Sequence, residues 1–265
     1  MRCVRTMRAS TEGIVRHWAK GTNGKIIDPI PNDHPMPEDE YFYWGILRGS
    51  GDMIKRGGHD YYFCDHAYFK AGHNNKPNWY RITKNANVNS SISIHTPHRY
   101  EQYFTQDLVP WKTTGTQIIV CPPTGAIEWM FDAQDWLSTT VKTLKQQTPR
   151  QIVVRDKPLN PQIKIENGFT QLDGFMKNKN QKPLEEDLND AYCVVTYNSM
   201  VALKAVCQGI PVICDVNCAA YPMSGNLHDI DNLNRPDREP WLWHLAHNQF
   251  TLEEMASGYA YNCIR

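Results

Sequence analysis

The chain has 265 residues, 41% apolar and 21% charged, with 28 basic residues balanced by 28 acidic ones. That composition excludes a disordered chain, and the length suits two compact domains. Zero formal net charge argues against a generally basic nucleic-acid binder, although segregated charge still admits nucleic acid as a partner.

In chain order, 11–20 (TEGIVRHWAK) reads as a short helix with Ile14, Val15 and Trp18 on one face and Gly21 stopping it. Four prolines make 28–40 a loop. Tyr41 to Leu47 is an aromatic strand. A turn follows at Arg48–Gly51, a short helix from Asp52 to Arg56, and a second strand over Asp60–Asp65. Strand, turn, helix and strand is the rhythm of an α/β unit. Residues 70–116 are polar, with one weak strand signal at NWYRIT.

The second half alternates regularly. Strands are expected at TQIIVC, QIVVR, YCVVTY and PVICD, with helices at DWLSTTVKTLKQQ, LEEDLNDA and SMVALKAVCQG. Asp135 is placed to cap the first of these helices, Gly209 closes the last, and IKI marks a poorly formed strand in the lysine-bearing stretch 161–183. This β-α-β-α-β-α-β order implies a doubly wound parallel sheet. Thr251-Leu-Glu-Glu254 has a capping-box pattern. The expected domains are 1–112, an acceptor-side lobe; 113–225, a nucleotide-binding lobe; and 226–265, a helical segment packing across the two.

Ligands of open parallel sheets bind beyond the carboxyl ends of the strands. In the second lobe those ends are Cys121–Gly125, Arg155–Pro158, Tyr197–Ser199 and Asp215–Cys218. Tyr197, Asn198 and Ser199 open a helix, whose free N–H groups suit a phosphate; simple helix capping by Asn198 or Ser199 is the alternative. In the first lobe Asp65 and His66 end a strand, where a carboxylate or imidazole could deprotonate an acceptor hydroxyl. His73, Lys76 and Arg81, interleaved with Trp79 and Tyr80, could hold a sugar or nucleic acid.

The segment TYNSMVALKAVCQGIPVICD (196–215) resembles the T-x-x-S-x-x-x-x-E-A-x-x-x-G-x-P-V-I signature of GT-B glycosyltransferases, notably those that build capsular polysaccharide. VVRDKP (153–158) is similar to the family's R-x-H-P strand end, and AYPMSG (220–225) and NQFTLEEMASG (248–258) look like its closing blocks, phage-encoded members included. The resemblance spans roughly 115–258, and its four blocks come in the family's order. Lys204 replaces the Glu that usually holds the donor ribose, and Lys157 replaces the His before Pro.

What the resemblance implies is an α/β protein of two Rossmann-like lobes, the N-terminal one reduced and the C-terminal one a doubly wound parallel sheet. Thr124, Gly125, Arg155, Lys157, Tyr197, Asn198 and Ser199 would bind a nucleotide-sugar donor, Asp65 or His66 would act as base, and His73, Lys76, Trp79 and Arg81 would meet the acceptor. The favoured acceptor is a hydroxymethylated pyrimidine in phage DNA. A surface glycan, an epimerase reaction and a non-catalytic nucleotide- or DNA-binding module are the alternatives.

No metal or other cofactor is expected. Asp229-Ile-Asp231 is a lone D-x-D, and His95, His98, His244 and His247 lack partners at ligand spacing. The eight cysteines include no C-x-x-C, and no apolar run approaches a membrane span, so the expectation is a reduced, cytoplasmic protein without membrane insertion.

Overall fold

A computed structural model describes residues 1–6, 8–70, 78–94, 96–157, 159–166, 168–177 and 182–265, with 159–166 and 170–177 as backbone. The first half runs β1 (Arg2–Val4), α1 (Ala9–Thr22), β2 (Lys25–Ile27), β3 (Tyr41–Trp44), α2 (Ser50–Arg56), β4 (Tyr61–His66), β5 (Tyr80–Lys84) and α3 (His98–Tyr103). Next come β6 (Gln117–Cys121), α4 (Gly125–Phe131), α5 (Trp136–Gln147), β7 (Gln151–Val154), and the paired β8 (Leu159–Glu166) and β9 (Phe169–Lys177). Then follow α6 (Leu184–Asn189), β10 (Ala191–Thr196), α7 (Val201–Cys207) and β11 (Val212–Cys214). The last elements are α8 (Glu239–His247), β12 (Gln249–Phe250), α9 (Leu252–Ala256) and α10 (Tyr259–Ile264).

The chain divides into two compact units. Unit 1 comprises Met1–Asn89, Ile163–Asp173 and Leu245–Arg265; unit 2 comprises Ser90–Gln162 and Gly174–His244. The division therefore differs from the composition-based boundaries at 112/113 and 225/226. The polar stretch after Ser90 is tied into unit 2 by its own bonds: Trp111 Nε1 donates to Pro236 O at 2.9 Å, and Arg238 Nη1 donates to Val109 O at 2.7 Å.

In unit 1 the sheet order is β12-β5-β4-β3-β1-β2. β2, β1, β3 and β4 are mutually parallel, and β5 and β12 continue the sheet antiparallel. The apolar face of α1 drives the packing. Ile14, Val15 and Trp18 are buried against Cys3, Phe42, Tyr62, Ile82 and Phe250, and Trp18 stacks on Phe42 with ring centroids 4.7 Å apart. α9 begins with the expected capping box: Thr251 Oγ1 accepts from Glu254 N, and Glu254 Oε2 accepts from Thr251 N.

Gly21 does not stop α1, which continues to Thr22 and ends on left-handed Asn23. Its role is close approach, because a Cβ there would lie 1.8 Å from Met255 O. Gly21→Ala should therefore destabilise. The helix-propensity gain is about 1 kcal/mol, and the backbone clash between α1 and α9 should outweigh it for a net loss of about 2 kcal/mol. Urea unfolding checks this; a variant as stable as the parent would mean the two helices separate freely.

In unit 2 the order is β11-β10-β6-β7, all parallel, as the strand–helix alternation implied. Ile118, Val120, Leu144, Cys193, Val195 and Ile213 form one buried cluster on a sheet face. Asp135 stands at the N-cap of α5 but its side chain makes no capping bond. Its backbone is already helical (φ −89°, ψ 0°), whereas a side-chain cap needs an extended residue.

Both units have the Rossmann-like pattern. Counting only parallel strands in chain order, each sheet reads second, first, third, fourth. The N-terminal lobe, expected to be reduced, carries the larger sheet, six strands against four. Its two strands beyond the parallel four are β5, of five residues, and β12, of two.

Candidate functional site

In unit 2 the connections after β6 and β10 leave toward opposite sheet edges, to β7 and β11 respectively. The carboxyl ends of these two neighbours therefore form the crevice where open α/β sheets bind ligands. Cys121 and Thr196 are register partners at that edge. The buried Thr196 hydroxyl donates to Cys121 O at 2.6 Å and accepts from Ser199 N at 3.2 Å. One side chain thus fixes both turns, 121–125 and 196–200, against each other.

Thr124 is the extended N-cap of α4, without a side-chain capping bond, and Gly125 is that helix's first residue. Across the crevice Tyr197 is buried, while Asn198 and Ser199 are half-buried. Ser199 Oγ accepts from Val201 N at 3.3 Å, so the capping alternative is realised in part. The Tyr197 hydroxyl accepts from Asn217 Nδ2 at 3.1 Å, and burial first, then Asp215, raises its pKa above the ordinary phenol value. The Cys121 thiol is pushed up to about 12 by burial, against an opposing pull from Arg155, so it is a core thiol and no nucleophile.

The two basic candidates differ. Arg155 Nη1 is ion-paired to Asp187 of α6, with both side chains largely buried. Lys157, two residues on, is exposed. Lys204, at the position where the signature has Glu, is ion-paired to Glu185.

A cavity of about 320 Å³ opens at the carboxyl ends of β10 and β11, lined by Trp136, Thr140, Thr196, Cys214, Asp215 and Asn226 among others. Its size is in the range of small-ligand sites. Trp136 stands edge-on to Tyr197, 6.1 Å between ring centroids. Sequence reading missed Trp136, Thr140 and Thr196. An aromatic residue opening the helix after Asp135 was the available signal for Trp136.

In unit 1, Asp65 and His66 lie at the carboxyl end of β4. Asp65 is paired with Arg81 in the β4–β5 register; Arg81 Nη2 donates to its Oδ2 at 2.9 Å, and His66 N donates to its Oδ1 at 2.7 Å. Both carboxylate oxygens are engaged. The exposed His66 presents its ring edge-on to Trp44 at 5.4 Å. Trp79 is buried, and Arg81 also lies over the Tyr68 ring. The structure therefore brings Asp65, His66 and Arg81 together and sends Trp79 into the core. His73 and Lys76 lie outside the described residues, as does His95.

No family model and no curated protein matches the sequence. Solved structures do match. KpsC of Thermosulfurimonas dismutans, described as a beta Kdo 2,7 transferase, superposes with a TM-score of 0.50 at 11% identity, covering 98% of this chain and 99% of that one. KpsC of the same organism described as the beta Kdo 2,4 transferase gives 0.49 at 11% identity, over 92% and 90%. At 11% identity the likeness to the 2,7 transferase shows a shared α/β fold over nearly the whole length of both chains.

Among the described residues no group of three or more His, Cys, Asp or Glu is placed to hold a metal ion. Asp231 is bound by Arg150 at 3.0 Å, and Asp229 accepts from Asn232 Nδ2 at 2.8 Å. His244 is buried, its Nδ1 facing Ser93 N at 3.3 Å. The eight cysteines are all free thiols, and among the described residues no helix is long and apolar enough to cross a membrane.

Proposed function

We propose that the chain is a nucleotide-sugar-dependent glycosyltransferase that moves a sugar onto a hydroxyl of a surface-glycan acceptor. The observation that carries the reading is the Thr196 hydroxyl locking the 121–125 and 196–200 turns at the strand crossover, with the Trp136–Asp215 cavity beside it. Such a rigid polar edge can receive a donor's phosphates without reorganising as charge develops on the leaving group. In this reading Thr124, Gly125, Asn198 and Ser199 line the phosphate seat, and Lys157 adds a mobile positive charge. Arg155, held by Asp187, backs that turn rather than reaching out. Tyr197 and Trp136 wall the donor. Asp65 or His66 takes the acceptor proton, and Arg81 orients Asp65.

A hydroxymethylated DNA base, the acceptor favoured from sequence, has no support in the fold or in the neutral charge balance. The names of the fold neighbours make Kdo one sugar to include among the donors tested. The reaction as proposed needs no metal, because side chains supply the charge.

Nucleotide release should appear only when donor and glycan acceptor are both present, should survive EDTA with modest loss, and should vary little between low and high salt. Donor consumption without acceptor would replace the transferase with an epimerase. Abolition by EDTA with rescue by Mn²⁺ would overturn the metal-free chemistry. A steep fall with salt on a DNA acceptor would restore the nucleic-acid reading.

A further inference from the structure

The carboxyl edge of the unit 1 sheet carries a feature that none of the roles above uses. β1 and β3 are neighbours there, and their connections leave toward opposite edges, to β2 and to β4. Unit 1 thus has a crossover crevice of its own. Arg8 closes the segment after β1 as the residue preceding α1, and Arg48 stands in the turn between β3 and α2. Neither has a carboxylate partner among the described residues. Arg5 nearby does: it is neutralised by Glu12 and Asp28, and Arg16 shares Glu12.

Two things about Arg48 run against stability. Its backbone is left-handed (φ 59°), a conformation that favours glycine, and it follows Gly45 and precedes Gly49, which share that region. It is partly buried, and its loop leaves β3 beside the β1 end from which the loop carrying the exposed Arg8 leaves; in keeping with that placement, burial first and Arg8 second lower its pKa. The turn is also pinned, because a Cβ on Gly49 would meet Pro29 Cβ at 2.7 Å and the Phe169 ring at 2.8 Å. A strained arginine on a fixed loop beside a second arginine is an arrangement that an anion would stabilise, and guanidinium forks match oxyanions geometrically.

We propose that Arg8 and Arg48 form an oxyanion site on unit 1 that seats a carboxylate or phosphate group of the acceptor sugar. Only the identity of the anion's bearer rests on the transferase reading; the site itself stands on unit 1 alone.

The test uses the full chain, with Arg48→Gly and Arg8→Ala. Inorganic phosphate and glucuronate are titrated by calorimetry, and melting is followed without ligand. Both anions should bind the parent protein and bind each variant about 10-fold or more weakly. Arg48→Gly should at the same time melt about 2–4 °C higher, because glycine relieves the left-handed strain. A merely structural arginine would not give weaker binding together with higher stability. Undiminished binding in Arg48→Gly, or a lower melting temperature in that variant, overturns the site. A short single-stranded oligonucleotide that displaces phosphate where glucuronate cannot would overturn the sugar assignment. UDP, CDP and GDP are titrated in the same samples. Loss of all nucleotide binding in the parent protein would sink the transferase reading while leaving the anion site standing.

Discussion

Asp65→Asn or His66→Ala should lower turnover by about 10²–10⁴-fold while leaving donor affinity largely intact. The pair belongs to unit 1 and the residues of the proposed donor seat to unit 2, so its removal deletes no contact of that seat and binding and turnover should separate. The larger loss is expected at His66. Asp65 already accepts from Arg81 and from the His66 amide, so its natural part is to hold Arg81 and fix the turn, and the exposed imidazole is left to take a proton. Asn at position 65 keeps an oxygen for the His66 amide but leaves the largely buried Arg81 without its counter-charge. Thermal melts are therefore measured alongside kinetics. A lower melt in Asp65→Asn with full turnover in His66→Ala would make the ion pair structural. Full turnover in both variants with parental melts would place the base elsewhere.

The second large effect is expected at the donor seat. Ser199→Ala combined with Lys157→Ala should weaken nucleotide binding by roughly 2–4 kcal/mol if both side chains make charge-assisted bonds to phosphate. Ser199 Oγ also accepts from Val201 N, so its loss frays the first turn of α7 as well as removing a donor. Lys157 is exposed and its removal should leave stability unchanged within a few tenths of a kcal/mol. Calorimetric titration with UDP, CDP and GDP decides the matter: unchanged affinity in the double variant refutes this placement. Arg155→Ala is a poor substitute, because it strands the buried Asp187 carboxylate and confounds binding with folding.

The unit 2 sheet was legible because each of its strands is a short apolar run that ends in a polar turn, and amphipathic helices separate those runs. The alternation β6, α5, β7, α6, β10, α7, β11 follows from that pattern, whereas α4 after β6 was not announced by it and the paired β8 and β9 after β7 were marked only by IKI. Unit 1 was half legible. The aromatic strands β3 and β4 announce themselves, whereas β1 and β2 span three residues each, too few to show a period of two. The two-residue β12 exists only because it finds an edge to pair with. The strand ends that nominated Tyr197–Ser199 and Asp65–His66 followed from topology, but partners did not. That Arg155 is bound to Asp187, Asp65 to Arg81 and Lys204 to Glu185 depends on segments 16–32 residues apart in the chain, which no local pattern encodes. Trp79 shows the converse: interleaved with basic residues it read as a contact surface, and it is core.

The pairing of β12 with β5 has a consequence for biosynthesis. Unit 2 draws on residues up to 244, whereas the unit 1 sheet is completed by Gln249 and Phe250, with Leu245–Arg265 packed into the same unit. On the ribosome the segments of unit 2 are therefore all available before unit 1 can close. Until then β5 presents an uncovered antiparallel edge, the kind of surface that recruits strands from other nascent chains. Phe250 and Met255 also belong to the cluster around Trp18, so α1 waits for residues translated long after it to bury its apolar face. Unit 1, begun before unit 2, is in this sense completed after it, and its dependence on chaperones should be the greater of the two.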